Sequence, residues 1–182
     1  MASLFRPALD LMAQYAAYHR DRRNIATHFI GVPLIVFAVG VLLARPAFTL
    51  GNVALSPAWL LYIATAAWYL TRGNLLVGVA VSVVVGVLVA LGHSVAYGSV
   101  AMWLAWGLGS FVVGWVIQFV GHHYEGRKPA FVDDLAGLLV GPMFVTAEWL
   151  FALGLCRPLH DEIVRRAGPT LIRAAGQQRT HA

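Results

Sequence analysis

Four apolar stretches, each near the length of a bilayer crossing, dominate this chain: His28 to Ala44, Val53 to Thr71, Leu75 to Tyr97 and Ser99 to Val120. A hydrocarbon core of about 30 Å takes roughly 20 helical residues to cross. Inside lipid every backbone N–H and C=O must find a partner within the protein, so only helices and closed barrels span. The third stretch is rich in Val and Gly and has strand propensity, but its uncharged length favours a helix. Charged residues make up 12% of the chain, about half the share of a soluble domain. The expected class is therefore an all-α integral membrane protein. A single membrane domain is expected over residues 1–156, with a basic tail over 157–182 that from His160 to Ala182 is a short helix or disordered.

Two further segments flank the spans. From Leu4 to Tyr18 the apolar residues Leu4, Ala8, Leu11, Met12 and Tyr15 fall on one helical face, which predicts an interfacial helix lying on the membrane. Asp21 and Asn24 are capping residues for the helix that follows. A fifth apolar stretch, Leu135 to Leu155, carries Glu148 and is interrupted by Gly141-Pro142. Arg6, Arg20, Arg22 and Arg23 place the N-terminus inside by the positive-inside rule. Four crossings then bring Arg72, Arg127 and Lys128 to the same side. A fifth crossing would export Arg157, Arg165, Arg166, Arg173 and Arg179. The expectation is thus four spans plus a helix that breaks or re-enters near Gly141-Pro142, with both termini cytoplasmic in a bacterial inner membrane. No small-x-small cleavage site follows the first run, so an uncleaved first span is expected. The net charge of +5 belongs with lipid headgroups and topology rather than with nucleic acid.

This topology sorts the histidines. His19, His28 and His122 all fall at the inner ends of spans, whereas His93 falls near the outer end of the third and is expected to reach for water there. His19 and His28 are nine residues apart and would face opposite ways on one straight helix. They share a site only if the chain turns between them, for which Asp21 to Asn24 is the candidate. His122 and Glu125 share a face at the end of the fourth span. His123 is either a further ligand on a distorted helix end or a headgroup contact. Imidazole and carboxylate suit Fe(II), Mn(II) or Zn(II) and leave positions for substrate. Asn24, Gln118, Asp133 and Asp134 are candidates to orient the ligand imidazoles. The single cysteine, Cys156, excludes a cysteine cluster. His160 and His181 read as solvated tail residues.

The string Tyr18-His19, Asn24, His28 and Gly31-Val32-Pro33, together with Gln118-Phe119-Val120-Gly121-His122, Glu125, Pro129-Ala130 and Asp133-Asp134-Leu135, resembles the paired signatures of a family of small membrane proteins. That family contains a yeast endoplasmic-reticulum 2-hydroxy fatty acid dioxygenase of phytosphingosine degradation. The resemblance runs from about Leu9 to Leu155. It implies an Fe(II)-dependent α-oxidation in which a 2-hydroxy fatty acid and O2 give the acid one carbon shorter. It implies His19, His28 and His122 as iron ligands, with His123 a possible addition where the family has a small residue. Glu125, Asn24 and Gln118 are the implied catalytic partners. Glu125 follows His122 one residue sooner than in the yeast member, so the full ligand set stays open.

Three other functions compete. A lipid-binding or transport protein would line a path with polar residues, and the spans hold few. A haem protein would need opposed axial histidines. A zinc-dependent lipid hydrolase would use the same ligands without O2.

Overall fold

A computed structural model describes residues 5–50, 53–126 and 136–172. Among them are seven helices and one small hairpin: α1 (Ala8–Ala17), α2 (Arg22–Leu43), β1 (Phe48–Leu50), β2 (Val53–Leu55), α3 (Pro57–Leu70), α4 (Leu75–Ala96), α5 (Val100–Glu125), α6 (Ala136–Ala152) and α7 (Arg157–Ala167). The two strands pair antiparallel, Phe48 opposite Leu55.

Most helix starts are legible in the local chemistry. The side chains of Asp21, Ser56, Asn74 and Ser99 accept the N–H of Arg23, Trp59, Val77 and Met102 respectively, each filling one orphan donor of a first turn. Gly126 ends α5 in the left-handed conformation, φ 67°, and its N–H reaches the carbonyls of His122 and His123.

Helices α2, α4 and α5 are long and apolar enough to cross a membrane. At 22, 22 and 26 residues they run about 33, 33 and 39 Å. The segment expected as a second span, Val53 to Thr71, divides instead. Val53–Leu55 joins the hairpin, and Ser56-Pro57 starts a 14-residue helix only about 21 Å long. Helices α3, α4 and α5 expose the large apolar residues Ile63, Val83, Val87, Val112 and Val116, which suit lipid rather than water.

Glycines set how closely these helices approach. A Cβ on Gly92 would lie 2.8 Å from the Val41 nitrogen, and one on Gly40 would lie 3.1 Å from the Val89 Cα, so α2 and α4 touch backbone to backbone. Gly114 and Gly31 play the same part between α5 and α2, each Cβ falling 3.0 Å from the other's carbonyl oxygen. Small residues at helix crossings are how membrane helices gain van der Waals contact.

Two expectations shift. The apolar face of α1 is turned into the protein. Met12, Tyr15 and Ala16 are buried in one core with Val140, Met143 and Phe144 of α6 and Ile163 of α7, and Arg166 of α7 pairs with Asp10 of α1 at 2.7 Å. The break in the fifth apolar stretch also moves. Gly141 and Pro142 lie inside α6, and the chain bends by 119° between α6 and α7 instead. Gly154 (φ 78°) and Cys156 (φ 53°) take up that turn. Pro142 forfeits one backbone donor, while its carbonyl accepts the Thr146 hydroxyl at 2.8 Å. Within the expected tail, the described residues 157–172 include α7, which packs on α1, and Leu171 bridges to Asp21.

Candidate metal centre

The centre is assembled where the turn between α1 and α2 meets the last turn of α5. The chain leaves α1 at Tyr18 and enters α2 at Arg22, so the reversal that brings His19 and His28 together falls at Tyr18–Asp21, slightly ahead of the expected place. His19, His28 and His122 are all buried, and one ligand nitrogen from each lies within 4.8 Å of the others. Their ring centroids are 4.5, 5.0 and 5.3 Å apart.

Hydrogen bonds fix the tautomers of two of them. His19 Nδ1 donates to the Tyr15 carbonyl at 2.7 Å, and His28 Nδ1 donates to the Asn24 carbonyl at 2.8 Å. A carbonyl only accepts, so both Nδ1 atoms carry the proton and both Nε2 atoms keep a lone pair. His19 Nε2 is buried with no hydrogen-bond partner. Burying a lone pair unsatisfied is costly, and a cation is what would satisfy it. Two nitrogens bound at about 2.1 Å to one ion are at most about 4.2 Å apart, so small side-chain shifts suffice. The donor set therefore fits a divalent transition metal.

Burial holds the His19 pKa well below its usual 6.5; His28 and His122 add to this, and the Tyr15 carbonyl bond opposes it. The unfolded chain takes up a proton near pH 6.5 that the folded centre refuses. Metal-free protein should therefore keep its full stability above pH 6.5 and lose it progressively as pH falls below that value. Thermal unfolding of the stripped protein across this range checks the sign, and a melting temperature that rose on acidification would contradict it.

Glu125 sits beneath the turn. Its Oε2 accepts the backbone N–H of Arg20 at 2.9 Å and of Asp21 at 2.8 Å, and the Asn24 side-chain amide at 3.2 Å. It thus ties the end of α5 to the start of α2 and is not among the three converging ligands. The glycines of the two sequence strings serve the same junction. A Cβ on Gly121 would lie 2.6 Å from Asn24 Oδ1, and one on Gly31 would lie 2.5 Å from Gln118 Nε2. Gln118 is buried one turn before His122 and its Nε2 has no partner. It lines a small cavity with His28, His122 and Tyr15.

The remaining candidates lie elsewhere. His123 is exposed, its ring 6.2 Å from that of Tyr124. His93 stays apart from the centre, but it is buried instead of reaching for water. Its Nδ1 donates to the Val89 carbonyl at 2.9 Å, its Nε2 accepts the Ser56 hydroxyl at 2.8 Å, and its ring stacks on Trp59. Arg20 is buried against the His19 and Gly168 carbonyls, and Glu148 lies within electrostatic reach of it. Arg23 pairs with Asp21 and covers the Tyr124 ring. Asp133, Asp134, Arg127, Lys128, Arg173, Arg179 and His181 lie outside the described residues.

Sequence reasoning passed over Tyr15 as a site residue. Its carbonyl orients His19, its ring stacks on His19 at 4.0 Å and 9°, and it meets Phe144 at 5.1 Å. The available signal was an aromatic residue four positions before a histidine, close to a helix end.

A buried cluster of three histidines at one end of a bundle with membrane-length helices defines the class: a helical protein with apolar helices suited to a membrane and a candidate metal centre. The comparisons say which one. The chain belongs to the Mpo1-like 2-hydroxy-palmitic acid dioxygenase family, whose pattern it matches over residues 5–153. It is 35% identical over 153 residues to the 2-hydroxy-palmitic acid dioxygenase MPO1 of Saccharomyces cerevisiae, a match covering 80% of this chain and 83% of the yeast protein. No solved structure matches it.

Proposed function

We propose that this protein is an Fe(II)-dependent membrane oxygenase that shortens 2-hydroxy fatty acids by one carbon. The observation that carries the reading is the convergence of His19, His28 and His122, two of them held as lone-pair donors, at the mouth of an apolar cavity. The overall reaction balances as R–CH(OH)–COOH + O2 → R–COOH + CO2 + H2O: the C1–C2 bond breaks, C2 becomes the new carboxyl carbon, and O2 is reduced to the level of water. The three histidines would hold iron, which supplies Lewis acidity and redox chemistry when bound. Gln118, which lines the cavity and whose buried Nε2 has no partner, would serve as a donor for the substrate's carboxylate or 2-hydroxyl. Tyr15 and Phe144 wall the histidines off from water. The buried, neutral centre excludes charge except where the cation compensates it. The arginines near the turn suit a cytoplasmic orientation of this end of the bundle in a bacterial inner membrane.

The test is metal analysis of the purified protein, followed by anaerobic Fe(II) loading and exposure to O2 with 2-hydroxypalmitate. Near-stoichiometric iron and O2-dependent appearance of the acid one carbon shorter are expected. Turnover supported equally by zinc without O2 would sink the oxygenase reading in favour of a hydrolase.

A further inference from the structure

Beside the small cavity at the histidines lies a second, larger, partly open one of about 330 Å³, lined by residues of α2, α3, α4, α5 and α6. The two share five wall residues, Ile35, Val36, Trp115, Leu138 and Pro142, so they adjoin across these side chains. The walls of the larger chamber are almost wholly carbon. The Thr65 hydroxyl donates to the Tyr62 carbonyl and the Tyr69 hydroxyl to the Leu139 carbonyl, which turns both polar groups into the backbone and away from the space.

The far end of this chamber is formed by Gly40, Ala58 and Val89, next to the buried His93–Ser56 pair. Gly40 lies 12 residues along α2 from His28, a rise of about 18 Å. A zigzag of carbon–carbon bonds near 1.5 Å at about 111° advances roughly 1.25 Å per bond. That rise corresponds to about fourteen bonds from the level of the centre to that of the end wall. That equals the span from C2 to the terminal methyl of a sixteen-carbon acid.

We infer that this chamber is the acyl-chain site and that its end wall, Gly40, Ala58 and Val89, sets the longest chain accepted. The inference rests on the proposed substrate class, but it concerns binding and needs neither iron nor O2. A volume of this size walled by apolar side chains is in the range of small-molecule sites, and its place beside the histidine centre, across five shared wall residues, selects a molecule with one polar end and one long hydrocarbon tail.

The experiment uses metal-free protein in lipid nanodiscs and a 2-hydroxy fatty acid of sixteen carbons bearing a photoreactive diazirine at its terminal carbon. Label on peptides containing Val39–Gly40, Ala58 or Val89 is expected. Label confined to the outward residues Val83, Val87, Val112 and Val116 would overturn the chamber as the site. Competition by unlabelled 2-hydroxy acids then measures the length preference. Ala58→Leu and the half-buried Val39→Phe each shorten the space by roughly 3 to 5 Å, so the best competitor should become about two to four carbons shorter. Equal weakening at every length, or no shift in either variant, would overturn the end-wall assignment. Chamber labelling with no turnover in the loaded enzyme would refute the oxygenase reading and leave the acyl site standing.

Discussion

Replacing His28 with alanine is expected to abolish stoichiometric metal binding and, with it, turnover. His28 occupies the second turn of α2, and its ring is held by the Asn24 carbonyl at 2.8 Å with Nε2 facing His19 and His122. Removing a direct ligand should exceed the 10–100-fold loss in metal affinity typical when an outer partner of a ligand is removed, so a fall of more than about a hundredfold is expected. His93→Ala is the matched control. It deletes an equally buried imidazole that bonds Ser56 and stacks on Trp59, so it should lower the melting temperature yet leave metal content unchanged. Metal analysis and thermal unfolding of the two variants, side by side, separate loss of a ligand from loss of a packed ring. Metal retained in His28→Ala but lost in His93→Ala would place the centre at the wrong end of the bundle.

The second large effect is expected at Glu125. One carboxylate oxygen holds two backbone N–H groups of the Arg20–Asp21 turn and the Asn24 amide. Alanine there leaves three buried donors without an acceptor, at about 1–3 kcal/mol each before any water enters. Glu125→Ala should therefore cost about 3 kcal/mol or more of stability and weaken metal binding indirectly, because His19 and His28 flank the turn it holds. Glu125→Gln keeps an acceptor oxygen and should recover much of both losses. A direct ligand would behave otherwise: the glutamine variant would fold normally and lose metal as severely as His28→Ala. Iron content against melting temperature across the three proteins distinguishes the two roles.

Much of this site could be read from local sequence. Membrane-length apolar runs end at His28 and His122, and chain reversal by capping residues such as Asp21 is a short-range property. The placement of three histidines at one end of the bundle thus follows from span length and charge distribution. The glycines of the two sequence strings also acquire a physical meaning. Gly31 and Gly121 lie where α2 and α5 press closest, beside Gln118 and Asn24, and any side chain would hold the ligand-bearing helices apart.

Other features depended on contacts across the fold. Hydropathy over Val53 to Thr71 is that of a span, yet the hairpin and the Ser56-Pro57 start shorten the helix to 14 residues. The apolar stripe of α1 is equally compatible with lipid or with another helix, and α6 supplies the second. Glu125 has the spacing of a ligand to His122, but its partners lie 101 to 105 residues away in the chain.

The apolar runs and the histidines at their ends by themselves determined that this chain forms helices of bilayer length with candidate metal ligands gathered at one end. Periodicity, capping and hydrophobic length are set by neighbours in sequence. Tertiary structure alone decided which histidine nitrogens the backbone carbonyls leave as lone-pair donors, which backbone groups Glu125 holds, and where the apolar cavity lies. Those depend on hydrogen bonds and voids between segments far apart in the chain, and no local pattern encodes a void.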